Sequence, residues 1–330
     1  MQTQEELIEQ LSVDVEGIAT QLNEGFGLTH KRQSGAQPAL VRWVDFRLRW
    51  VDPRPRVVHL SNRFPKSLDG LTGKALRALT EAIRNGDDVN PFQSKGLFRT
   101  DSSGKRRPDR TDLLWADWGI HHLHVTEKRG EETYFSARSD YLLFVWFGPD
   151  HALLLDVLPH SGDALRFSRE ELIRVVAQNW PEVLAPFEIP GRSLERLPTD
   201  EERHMLRRAG IDTPLSLEGK LYFPPDHGVT SASTPGKVTD YVFRMRRNLR
   251  AITDDILNPS GQFLTMVPET SRSSSHFSLQ LTRAGIVIYE KQTDHGWTFP
   301  DAKMVGPNTA YAELSDALTP PWVKKALTEG

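Results

Sequence analysis

Residues 118–125 read Trp-Gly-Ile-His-His-Leu-His-Val, placing His121, His122 and His124 in a stretch otherwise patterned as a buried strand. Successive strand side chains point to opposite faces, so His122 and His124 share one face while His121 goes with Leu123 and Val125. Two imidazoles at i and i+2 can hold a metal, move a proton or grip a phosphate. The alternative to chemistry is structural: hydrogen-bonded rings at the rim of a sheet.

The chain contains no Cys, which removes disulfide scaffolds, thiolate metal sites and cysteine nucleophiles. A metal would therefore need imidazole and carboxylate ligands. The candidate set is His122 and His124 with Asp140, or with Asp117, Asp156 or His160 in its place, since a catalytic zinc site takes three protein ligands and keeps an open position. No His-Glu-x-x-His spacing supports this reading, and the Gly-rich phosphate loops and the Gly-x-Ser-x-Gly nucleophile turn are missing as well.

The elements that must position these residues are short and mixed. Leu7, Ile8, Leu11, Val15, Ile18 and Leu22 mark an amphipathic first helix. Alternation over residues 44–50 (Val44, Phe46, Leu48 and Trp50 against Asp45, Arg47 and Arg49) predicts a half-buried strand with a basic outer face, and a second strand is expected at residues 56–60. Leu71, Ala75, Leu76, Leu79 and Ile83 predict a helix that stops at Asn85-Gly86. Residues 99–112 carry five basic groups with Gly, Pro and Ser and are expected to form a loop.

Strands are predicted at residues 118–126, 133–137, 141–147 and 152–158, the last two forming an antiparallel hairpin around Gly148-Pro149-Asp150. Ser168 with Glu171, and later Thr199 with Glu202, have capping-box spacing ahead of helices. Val238, Val242, Met245, Leu249, Ile252 and Ile256 predict a long amphipathic helix whose polar side carries Arg244, Arg246, Arg247 and Arg250. A strand pair at residues 277–281 and 286–289 and a short final helix complete the pattern. The expected class is α+β, with a central antiparallel sheet and packed helices flanked by α+β units. The expected division is 1–98, 113–188 and 190–330.

A net charge of −3 argues against a protein that coats nucleic acid nonspecifically. No signal sequence and no membrane span is visible, so a cytoplasmic location is expected.

Three segments taken together, Gly119 to Val125, Ser139 to Val145, and Ala152 to His160, resemble in order, spacing and polarity the core strands of the RelE/ParE/HigB toxin superfamily. The resemblance covers residues 113–165. It implies an antiparallel sheet, and many members cleave messenger RNA with basic residues and no metal. His124 stands where the family has an arginine on its first core strand, and His122 where many members have Glu or Lys. His160 stands at the polar end of the third strand, and Arg138 precedes the family's usual arginine position. The closing Lys-Lys or Tyr element has no counterpart in Ser161-Gly162-Asp163, and family members are shorter and more basic.

The resemblance implies a toxin-like endoribonuclease that works without a cofactor, in a toxin–antitoxin or phage-defence setting, with RNA as substrate and an antitoxin or other protein as partner. Such cleavage needs a base for the 2′-hydroxyl, a cation for the phosphorane-like transition state and an acid for the 5′-oxygen. His124 or His122 is the expected base and His160 the acid. Arg138, with Arg110 or Lys128, is the expected phosphate clamp. Two other classes stay open: a His-ligated metal-dependent hydrolase, and a non-catalytic binding protein that uses the histidines and the arginine-bearing helix as an interaction surface.

Overall fold

Thr3 opens the first helix with a reciprocal cap, its hydroxyl accepting from the Glu6 amide while the Glu6 carboxylate accepts from the Thr3 amide. That helix, Gln4–Gly25 (α1), buries Leu7, Leu11, Val15, Ile18 and Leu22 of the expected stripe, while Ile8 is only partly buried. The computed structural model describes residues 1–330 apart from 29–37, 67, 69, 99–111, 128–133, 161–169, 193–195, 197, 210, 212, 231–233, 300–308 and 330.

Within the described residues the chain continues as Ala39–Arg49 (α2), Val57–Leu60 (β1), Gly70–Asn85 (α3), Leu113–Trp118 (α4), Ile120–His124 (β2), Tyr141–Phe147 (β3) and His151–Pro159 (β4). Then come Glu170–Asn179 (α5), Pro181–Leu184 (α6), Asp200–Arg208 (α7), Leu215–Leu217 (β5), Lys220–Tyr222 (β6) and Gly236–Ile256 (α8). The last elements are Gln262–Met266 (α9), Glu269–Arg272 (α10), Phe277–Thr282 (β7), Gly285–Glu290 (β8), His295–Thr298 (β9), Ala310–Leu318 (α11) and Pro321–Glu329 (α12). The class is α+β.

The elements group into two units, Trp50–Lys237 and Met1–Arg49 with Val238–Gly330. These divisions fall elsewhere than the sequence boundaries near 98 and 190, because α1 and α2 pack with the C-terminal strands and helices, although β1 and α3 are nearer to them in the chain.

In the unit formed by both chain ends, β7, β8 and β9 make an antiparallel sheet. The strand expected at residues 44–50 is instead the end of α2. The period-two reading assumed that Asp45 and Arg47 face water, whereas both are buried, along with Arg42. Each charge has a partner: Arg42 and Arg49 pair with Asp45 at helical spacing, and Arg47 reaches Asp316 of α11 at 3.1 Å. Burial lowers the Arg42 guanidinium to about 10. The Trp43 indole N–H donates to the Ala317 carbonyl at 2.9 Å, tying α2 to α11.

The Trp50–Lys237 unit is built on a four-stranded sheet of order β1-β4-β3-β2. β2, β3 and β4 are antiparallel, as expected, while β1 joins β4 in parallel, so the sheet is mixed rather than wholly antiparallel. Both faces are covered, which is why β3 reads as a continuous apolar run instead of alternating. On one face Ala75, Leu76, Leu79 and Ile83 of α3 pack on Leu123, Leu143, Val145 and Leu154. On the other, Leu172, Ile173, Val175 and Val176 of α5 pack on Ile120, Leu142, Phe144 and Leu155.

A β-bulge interrupts the β3–β4 ladder: Phe144 pairs with Asp156 and Val145 with Leu154, leaving Leu155 as the extra residue. The bulge moves Asp156 onto the α5 face, where alternation from Leu154 would not place it. Among residues 134–137 only Ser136 takes a single bridging position, its amide donating to the Pro91 carbonyl, where a strand was expected. A small hairpin, β5–β6, turns at Glu218-Gly219, both with positive φ. The Thr199–Glu202 capping box forms as expected, whereas Ser168 lies outside the described residues.

Candidate active site

Asp112 caps the short helix that leads into β2. Its Oδ1 accepts the amides of Leu114 and Trp115 at 3.0 and 3.2 Å and so caps α4, a single six-residue helix. Gly119 ends that helix in the left-handed region at φ 68°, its amide donating to the Trp115 carbonyl at 2.9 Å. A Cβ at this position would lie 3.0 Å from Asp226 Oδ2. Asp226 accepts from Lys237 Nζ at 2.7 Å, and the same ammonium sits 3.5 Å from the centre of the Trp115 ring. These contacts hold α4 and therefore the entry into β2.

From β2, His122 Nδ1–H donates to Asp112 Oδ2 at 2.7 Å. Because a carboxylate only accepts, this bond commits the proton to Nδ1 and places the ring's lone pair on Nε2. Burial raises the Asp112 carboxyl, but His122, the Trp115 amide and the more distant His121 outweigh it, and the group lies below its usual range. An ionised carboxylate that orients an imidazole is the orienting half of a general-base pair.

Two residues on, His124 projects from the same face and is 6% exposed. The Ser139 amide points at its Nδ1 at 3.4 Å, and its ring lies 5.3 Å from that of His160, tilted by 37°. Burial first, then the charges of His122, His160 and Arg138, push the His124 imidazole down to about 4. It is therefore neutral at physiological pH, with Nδ1 accepting and the proton on Nε2. His160 is held beyond the end of β4 by its amide, which donates to the Asp140 carbonyl at 2.6 Å. Arg138 is exposed beside this group.

His122, His160 and Arg138 thus each act on His124 electrostatically, and of the three the His160 ring lies 5.3 Å from it. His121 turns to the α3 face, edge-on to Phe147 at 5.4 Å and to Trp115 at 6.3 Å. Asp140 contributes its backbone, and among the described residues no three His, Asp or Glu groups are placed to share a metal ion, so the set His122, His124 and Asp140 is not assembled. Asp156 is engaged elsewhere, by Arg63 at 3.3 Å, and Arg63 also pairs with Glu171. Burial raises the Asp156 carboxyl despite Arg63 and the Val157 amide. Arg110 and Lys128, with the basic loop at 99–111 and Ser161-Gly162-Asp163, lie outside the described residues.

Sequence reasoning missed Asp112. Its signal was present: an Asp and a Gly bracket the six residues Leu113 to Trp118, the pattern of a capped, Gly-terminated short helix. No family model, curated protein or solved structure matches the chain. Among the described residues no helix is long and apolar enough to cross a membrane.

Proposed function

We propose that the Asp112, His122, His124, His160 and Arg138 cluster cleaves RNA phosphodiester bonds without a metal, as a toxin-like endoribonuclease. The observation that carries the reading is the Asp112–His122 bond of 2.7 Å, in which a carboxylate orients a half-buried imidazole and fixes its tautomer. In this scheme His122 Nε2 takes the 2′-hydroxyl proton, and the 2′-oxygen attacks phosphorus. Arg138 and the His124 Nε2–H stabilise the charge that gathers on the non-bridging oxygens. His160 gives its proton to the departing 5′-oxygen. The products are a 2′,3′-cyclic phosphate and a 5′-hydroxyl.

Of the two bases considered from sequence, His122 is the better supported, because the Ser139 amide faces His124 Nδ1 and burial disfavours its protonation. The burial of His124 also supports a second reading, a non-catalytic interaction protein in which this ring is a packing element. Incubation of end-labelled RNA in EDTA separates the two. The proposal expects cleavage that falls by about 10²–10⁴-fold in His122→Ala, and intact RNA with wild-type protein would leave the interaction reading.

A further inference from the structure

Helix α8 presents Asp240, Phe243, Arg244, Arg246, Arg247 and Arg250 along a hollow of about 570 Å³. Its opposite side is occupied: Val238, Val242, Met245, Leu249, Ile252 and Ile256 are buried in the core of their unit. Positions 240, 243, 244, 247 and 250 recur at helical spacing, so they form one face about 15 Å long. Among the described residues no carboxylate is ion-paired with any of the four arginines. Arg244 instead lies 5.3 Å from the Tyr241 ring centre and Arg246 6.0 Å from that of Phe243. Phe243 is 56% exposed in the middle of this basic face.

We infer that this face binds the backbone of single-stranded RNA, with Arg247 and Arg250 on phosphates and Phe243 under a base. The inference rests on the RNA reading above and adds a second surface for the same class of ligand. Guanidinium groups present rigid forks of donors that match phosphate oxygens, and an aromatic ring among them stacks on any base. An anionic lipid surface fits less well, because a helix lying on a membrane needs a free apolar face and that of α8 is already spent on its own core.

The test uses the full chain and a short, fluorescently labelled 2′-O-methyl RNA, which lacks the nucleophilic hydroxyl and so reports binding without cleavage. Anisotropy titrations across a salt series compare wild type, the double variant Arg247→Glu/Arg250→Glu, and Phe243→Ala. All these positions are exposed, and circular dichroism with thermal melting confirms that each variant is folded. The double reversal is expected to weaken binding by more than about tenfold and to flatten the salt dependence by roughly 1.4 in slope, two single-strand phosphates' worth. Phe243→Ala is expected to weaken binding about tenfold with the slope unchanged.

Wild-type protein that does not bind the oligonucleotide, or a double variant that binds as wild type does, overturns the inference. So does uptake by phosphatidylglycerol vesicles that depends on Arg247 and Arg250 when the oligonucleotide is ignored. If the oligonucleotide is held on this face but unmodified RNA is not cut, the cleavage reading fails and this one stands. If RNA is cut but the double variant binds the oligonucleotide as wild type does, the reverse holds.

Discussion

Asp112 and His122 are joined by a 2.7 Å hydrogen bond through one carboxylate oxygen, while the other oxygen of the same carboxylate caps α4. One side chain thus fixes both where a helix begins and which nitrogen of an imidazole on the next strand carries its proton.

Asp112→Asn separates these roles. The amide can still cap α4, so stability should change by less than about 1 kcal/mol, but it can present its N–H to His122 and favour the wrong tautomer. RNA cleavage should fall by about 10²-fold or more. Asp112→Ala should lose the cap as well, costing about 1 kcal/mol in chemical denaturation.

The buried His124 makes stability depend on pH. The unfolded chain protonates this group near 6.5 and the folded chain only near 4, so between these values the unfolded state binds more protons. Stability is full above pH 6.5 and is lost as pH falls toward 4, by on the order of 3 kcal/mol from this residue. Denaturant titrations at several pH values should show that slope in wild type and a shallower one in His124→Gln. Equal slopes would mean that His124 is solvated in solution.

Arg138→Ala and Leu123→Ala should divide activity from stability. Arg138 is exposed, so its removal should change stability by less than about 0.5 kcal/mol while lowering the cleavage rate by about 10²-fold. Leu123 is fully buried under α3, and truncation should cost about 2–5 kcal/mol by denaturant melting, with the activity of the folded fraction preserved.

Gly119→Ala tests how β2 is positioned. The left-handed backbone at φ 68° and the 3.0 Å approach to Asp226 Oδ2 together should cost about 1–2 kcal/mol. If the turn sets the His122 geometry, the variant should also lose cleavage activity beyond what its folded fraction explains, as measured at a temperature where both proteins are folded.

Much of the scaffold was legible because period and packing agree. The shared face of His122 and His124, the β3–β4 hairpin and the buried stripe of α8 all arise from spacing. The reading failed where polar identity was taken for exposure, as in α2, whose Arg42, Asp45 and Arg47 are buried and matched to partners. It was silent where the cause is three-dimensional. Leu153 to Asp156 carries no mark of the bulge that turns Asp156 onto the α5 face, since Leu fits either side of a doubly covered sheet. The pairing of β1 with β4 arises likewise from chain path rather than local pattern.

The proposed role of His122, oriented by Asp112, is to remove the 2′-hydroxyl proton. That role is tested most directly by the rate of cleavage, in EDTA, of a DNA oligonucleotide that carries a single ribonucleotide, with wild type and His122→Ala compared. The predicted result is a single cut 3′ to the ribonucleotide that leaves a 2′,3′-cyclic phosphate, slowed by at least about 10²-fold in the variant. Cleavage at the same rate by both proteins, or no cleavage by wild type of this or any all-RNA strand, would contradict it.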